Sequence, residues 1–147
     1  MFEIKVEAKN VMSALERLAH TGQDMSPVMR VIAQELDRQT EKNFAAEGRP
    51  KWLGIKPRKG REGGRILQDT GQLAASITTS HDSHSAMIGT NKVYAAIHQF
   101  GGKTGRDHKV TMPARPFLPI DAQGQLQPEA EENILGLVND YLSRVIG

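Results

Sequence analysis

Residues 26–48 read SPVMRVIAQELDRQTEKNFAAEG, and this stretch decides the fold class. Ser26-Pro27 suits a helix start, because a serine oxygen can accept from an orphan backbone N–H and proline at the first helical position has no N–H to lose. Met29, Ile32, Leu36, Thr40 and Phe44 follow at three- and four-residue steps before Gly48. That spacing predicts a long amphipathic helix over 27–46. Its other face carries Arg30, Glu35, Asp37, Arg38, Glu41 and Lys42, and is expected to meet water or a partner. On that face Asp37 and Glu41, like Arg38 and Lys42, are like-charged neighbours at helical spacing.

Working outward, residues 128–145 hold a second helical stripe: Ile134, Leu137-Val138, Tyr141-Leu142 and Val145 follow Pro128, with Glu129, Glu131 and Glu132 at the dipole's positive end. Toward the N-terminus, Met12, Leu15 and Leu18-Ala19 predict a short helix over 11–20, with Asn10 as its cap and Gly22 as its stop. Phe2, Ile4 and Val6 alternate with Glu3, Lys5 and Glu7, as in a strand with one wet face. Ser76 to Ser80 is rich in β-branched residues, His81-Asp82-Ser83-His84 is a polar turn, and Ala86, Ile88 and Thr90 alternate, which predicts a β-hairpin over 75–90. Asp69 to Leu73 reads as a turn into a short helix, and 93–100 as another with Val93, Ala96, Ile97 and Phe100 on its inner face. Pro113, Pro116 and Pro119 make 112–119 extended, with an edge strand around Phe117.

These elements amount to an α+β domain. A small antiparallel sheet is expected from the N-terminal strand, the 75–90 hairpin and, as an edge candidate, 115–120, covered by the 27–46 and 128–145 helices. A chain of 147 residues suits one domain spanning 1–147, with two loops, at 49–66 and 101–112. The second loop carries Lys103, Arg106, His108 and Lys109. No cysteine is present, so neither a disulfide nor a thiolate zinc site can support the fold. The N-terminus shows no apolar run of the kind that targets or spans a membrane.

Charge is distributed unevenly. Residues 49–66 hold seven bases (Arg49, Lys51, Lys56, Arg58, Lys59, Arg61 and Arg65) against Glu62 alone, a balance of +6; with +2 for the whole chain, the remainder carries −4. Rich in glycine and proline as well, this loop is expected to be mobile, with Trp52 as an anchor where it leaves the core. Three readings stand for it: a solubilising arm, a tracker of nucleic-acid phosphates, or a segment that docks on an acidic protein partner. The chemistry of catalysis is missing. The serines sit outside any Gly-x-Ser-x-Gly or Ser-x-x-Lys arrangement, and the glycines at 60–64 are not followed by Gly-Lys-Ser/Thr. His81, Asp82 and His84 read as a solvated turn tip, so no metal, cofactor or catalytic residue is expected.

Several motifs recur in a definite order: Phe44 with Glu47 and Pro50; Trp52; Leu67-x-x-Thr70-Gly71-x-Leu73-x-x-Ser76-Ile77; Ile88-Gly89-Thr90; Tyr94-Ala95-x-Ile97-His98-Gln99-Phe100-Gly101-Gly102; Pro113-Ala114-Arg115-Pro116-Phe117-Leu118. That succession, from about Phe44 to Leu118, resembles the virion morphogenesis or tail-completion family of contractile-tailed phages and Mu-like prophages. The resemblance implies a non-enzymatic part in finishing the tail or the head-to-tail joint, as a homo-oligomeric ring touching other tail or neck proteins. It implies a place in the virion tail or neck, after assembly in the host cytoplasm. Candidate partner-binding residues are Arg58, Lys59, Arg61 and Arg65 in the loop, Trp52 at its root, and Arg115. Held in its Pro-Ala-Arg-Pro frame, Arg115 is a candidate for a bidentate bridge to a carboxylate of its own chain or a neighbour's. Tyr94, His98 and Phe100 are expected to pack beneath the hairpin, with the imidazole hydrogen-bonded. A ring contact needs two different patches, which the +6 loop and an acidic surface around Glu129, Glu131 and Glu132 would supply. The alternative is a nucleic-acid-binding module using the 49–66 loop.

Overall fold

The computed structural model describes residues 2–3, 8–52, 71–92, 94–104, 107, 110–121 and 123–146. The expected α+β architecture is present. In chain order the elements are β1 (Phe2–Glu3), α1 (Lys9–Ala19), α2 (Ser26–Ala46), α3 (Gln72–Ala75), β2 (Thr78–His81), β3 (Ala86–Thr90), α4 (Ala95–Phe100), β4 (Gly102–Thr104), β5 (Val110–Met112) and α5 (Pro128–Ile146). One antiparallel sheet has the order β1-β3-β2, with Phe2 opposite Thr90 and Thr79 opposite Ile88; a separate pair joins β4 to β5. The N-terminal strand is therefore seen at Phe2–Glu3, and residues 4–7 of that expectation lie outside the described residues.

Two apolar clusters hold these elements together. In the first, Val11, Ala14 and Leu18 of α1 meet Val28, Met29 and Ile32 of α2 and Ile134, Val138 and Leu142 of α5. The stripes of α2 and α5 fall where helical spacing put them, but the buried face of α1 is turned by one residue from the expected Met12, Leu15 and Leu18-Ala19, so that Met12 and Ala19 are exposed. The second gathers Phe44, Trp52, Leu73, Ala95, Phe117, Leu118 and Ile120 around the end of α2. Phe117 is fully buried and stacks on Phe44 with ring centroids 5.6 Å apart. Each such side chain withdrawn from water is worth about 1.5–3 kcal/mol. Leu126 packs against both clusters, and α2 runs from one to the other while also covering β2 and β3.

The structure departs from the sequence reading at five further places, each with a local cause. The start of α2 is not capped by Ser26: the Asp24 carboxylate accepts from the Ser26 N–H at 3.0 Å, and this bond holds the Asp24 pKa below the usual carboxylate range. Likewise α1 begins at Lys9, so Asn10 lies inside the helix, and among the described residues no side chain caps that end. The charged face of α2 is only partly wet, because α5 packs along it and buries Glu35. The 101–112 segment is no simple loop, since its ends pair in register, Lys103 opposite Thr111, once Gly101 and Gly102 turn the chain out of α4 with positive φ.

The fifth departure is the proline arm. No strand forms around Phe117. Pro113, Pro116 and Pro119 have no N–H to give, and the N–H groups of Phe117 and Leu118 donate instead to Gln99 Oε1 at 3.1 and 3.0 Å. That demand also turns α4 over. Ala95 and Gln99 are buried, whereas Ala96 and Phe100 of the expected inner face are exposed.

Two glycines after helix ends provide a stability test. At Gly48, φ is +100° and an added Cβ would lie 2.5 Å from Trp52 Cδ1 and 2.7 Å from the Pro50 carbonyl oxygen; at Gly22, φ is +76° with nothing within 4 Å. Gly48→Ala should cost roughly 3 kcal/mol or more in urea unfolding, combining left-handed strain with overpacking, and Gly22→Ala only about 1 kcal/mol. Equal losses at the two positions would show that the Trp52 approach is not tight.

Candidate partner-binding site

The root of the basic segment is built by the end of α2. Glu47 adopts a left-handed conformation and the Gly48 N–H returns to the Asn43 carbonyl at 2.8 Å, so the chain reverses and lays Arg49 back along α2. Arg49 Nε donates to Asn43 Oδ1 at 2.8 Å, and Nη2 donates to Gln39 Oε1 at 2.6 Å and to the Gln39 carbonyl at 3.2 Å. Nη1 meets the Glu129 carboxylate at the start of α5. Asn43 Nδ2 in turn donates to the Phe117 carbonyl at 2.9 Å and to Gln127 Oε1 at 3.0 Å, while Gln127 Nε2 donates to the Arg49 carbonyl at 2.8 Å. Three stretches distant in sequence, 39–49, Phe117 and 127–129, are thereby tied together around one guanidinium.

The network continues along α2. Gln39 Nε2 and Asn133 Nδ2 both donate to Glu35 Oε1, at 2.7 and 2.8 Å, and Arg38 lies 3.3 Å from the same carboxylate. Gln39 and Asn43 are fully buried, so these bonds replace water that neither amide can reach. Lys42 Nζ approaches Glu129 at 3.2 Å, and its hydrogen bond, with that of Arg49, lowers the Glu129 pKa from the usual carboxylate value.

Trp52 stands at the other end of this root. Its Nε1 donates to the Pro116 carbonyl at 3.1 Å and its ring meets Phe44 edge-on at 6.1 Å, leaving it 7% exposed. Arg115 is equally enclosed at 7%, with its N–H donating to the His98 carbonyl at 2.7 Å. Of the candidate residues, Trp52 and Arg115 thus sit beneath the surface near the second apolar cluster, and Arg58, Lys59, Arg61 and Arg65 lie outside the described residues. Tyr94 and Phe100 are exposed, contrary to expectation. His98 is half-buried, its Nδ1 has no hydrogen-bond partner among the described residues, and Tyr94 stands edge-on to its ring at 5.6 Å. Burial, reinforced by the Arg115 charge, pushes the His98 pKa down.

Sequence reasoning missed the Arg49 cluster. The available signal was Gln39 and Asn43, two amides one helical turn apart beside the apolar stripe, where amides are rarely buried without partners. At the hairpin tip, Asp82 accepts from the N–H groups of His84 and Ser85 at 2.7 and 2.8 Å, so its carboxylate is used by the turn. Among the described residues no three His, Asp or Glu side chains stand close enough to hold a metal ion, and no helix is long and apolar enough to cross a membrane.

The phage virion morphogenesis family matches this chain over residues 6–143. Mu-like prophage FluMu G protein 2 of Haemophilus influenzae is 44% identical over 147 residues, covering 99% of each chain. A second relative, named "Putative capsid assembly protein G", of Escherichia phage Mu, is 33% identical over 134 residues, covering 83% of this chain and 85% of that one. No solved structure matches it.

Arg49→Met should destabilise the protein by roughly 2–4 kcal/mol in urea unfolding, because buried acceptors on Gln39 and Asn43 lose their donor. Arg49→Lys should recover less than half of that, since one ammonium cannot span the same acceptors; full recovery by lysine would mean that charge alone matters. For His98 the folded pKa is depressed, so the unfolded state binds the proton first. Its stabilising contribution is present above about pH 6.5, the unfolded value, and is lost as pH falls through the folded value. The fall in Tm between pH 7.5 and 5 should therefore be smaller in His98→Gln than in the parent chain.

Proposed function

The chain belongs to the phage virion morphogenesis family, and from that premise we propose that it completes the tail or the head-to-tail joint as a subunit of a ring. Its role in building the virion is structural. In this reading the protein works by shape and contact with sister copies and with other tail or neck proteins, sits in the tail or neck, and is assembled in the host cytoplasm. No side chain makes or breaks a bond, and no cofactor takes part.

The observation that carries the reading, beyond the family match along nearly the whole chain, is the separation of charge. A head-to-tail ring requires two unlike patches on each subunit, and the +6 of residues 49–66 against −4 elsewhere supplies them. Arg49 and Trp52 fasten one end of that basic segment to the fold, giving the contact a fixed origin. Glu129 is a poor receptor for a neighbour's bases, because Lys42 and Arg49 of its own chain already hold it. The same basic segment favours a second reading, DNA binding, in which the isolated protein would shift a duplex in a gel with affinity falling steeply as salt rises.

Deleting the gene from an inducible phage or prophage should give particles whose heads and tails fail to join, or tails of wrong length, in negative-stain electron microscopy. A plasmid copy should restore joined particles. Normal infectious virions from the deletion would end the tail-completion reading.

A further inference from the structure

The exposed flank of α2 faces a groove of about 360 Å³, closed on its far side by α3 and the entry to β2. Asp37 and Glu41 form its rim, and Thr40, Phe44, Ala74 and Ile77 line it below. Among the described residues neither rim carboxylate has an ion-pair partner. Standing four residues apart on one helix, the two repel each other, and a cation placed between them would relieve that repulsion. Thr40 Oγ1 already donates to the Leu36 carbonyl at 2.9 Å, which leaves its oxygen able only to accept. The side-chain oxygens lining the groove are therefore acceptors, above an apolar floor. That combination suits a donor-only head on an alkyl stem, which is what lysine and arginine present. A small hydrated metal ion would gain nothing from Phe44, Ala74 and Ile77.

We infer that this groove on one subunit receives basic side chains of the 49–66 segment of a second copy. The inference rests on the ring reading above and supplies its missing receptor. Charge complementarity selects the occupant: the segment carries +6, and even with Arg49 engaged on Glu129 it retains +5. Donor segment and groove are different surfaces, as a contact that repeats head to tail requires.

Sedimentation velocity on the full chain tests this. At about 50 mM salt the parent protein should self-associate, and the association should weaken strongly by about 500 mM as the Debye length shrinks. Asp37→Asn with Glu41→Gln should weaken it at least about tenfold at low salt, matching Arg58→Glu with Arg61→Glu, while circular dichroism shows both folded as the parent. The deciding sample is a mixture of Asp37→Lys/Glu41→Lys chains with Arg58→Glu/Arg61→Glu chains: each alone should be monomeric, and together they should associate. A parent chain that stays monomeric at low salt overturns the inference, as does a mixture that stays monomeric, the result expected if the bases pair within their own chain. Loss of association in the loop variants with none in the groove variants also overturns it, while leaving the basic segment as the contact and the receptor elsewhere. Failure of the tail-completion reading would show separately, as normal virions from the gene deletion.

Discussion

The Arg49 guanidinium is the constraint on which the rest of the molecule depends. Burying the amides of Gln39 and Asn43 is unfavourable unless every polar atom is matched, and the fork of one arginine, folded back by a left-handed turn, matches them together. The same charge holds Glu129 at the head of α5 while Gln127 returns a bond to the Arg49 carbonyl. Register between α2 and α5 is thus set by polar geometry at one end and by Met29, Ile32, Ile134 and Val138 at the other. Apolar packing alone tolerates sliding; a buried network in which each donor has one acceptor does not.

Gln99 serves the proline arm as Arg49 serves the helices. A chain with prolines at 113, 116 and 119 cannot enter a ladder, yet its Phe117 and Leu118 must be buried to complete the second cluster. One side-chain oxygen accepts from the N–H groups of both, doing for these two residues what a neighbouring strand would do. Asn43 and Trp52 accompany it by donating to the carbonyls of Phe117 and Pro116. The motif residues that resemble the virion morphogenesis family therefore act largely as a scaffold: Gln99, Arg115 and Phe117 lie inside, and their neighbours Tyr94 and Phe100 are left at the surface.

A part that works by contact needs a rigid body. Here the body is held together up to Trp52, at the start of the stretch in which the sequence concentrates its bases. An assembly protein with this arrangement is expected to join under electrostatic steering and to depend on salt.

By itself the sequence determined what depends on local periodicity. The stripes of α2 and α5 and the alternation of β3 follow from 3.6- and two-residue repeats of apolar side chains, and those elements lie where the repeats put them; α1 lies there too, with its buried face turned by one residue. Long-range pairing was decided only in the folded chain. Glu35 is on the charged face of its helix and is nevertheless buried, because Asn133, 98 residues away, brings a donor to it. Arg49 is one base among seven until α5, 80 residues on, presents Glu129. Phe100 outranks Gln99 in hydropathy, but Gln99 takes the interior place because two peptide N–H groups needed an acceptor there. Hydrophobic burial is a property of residue type and spacing, and so can be read along the chain. The satisfaction of buried polar groups is a property of which partners arrive, and only tertiary structure brings them.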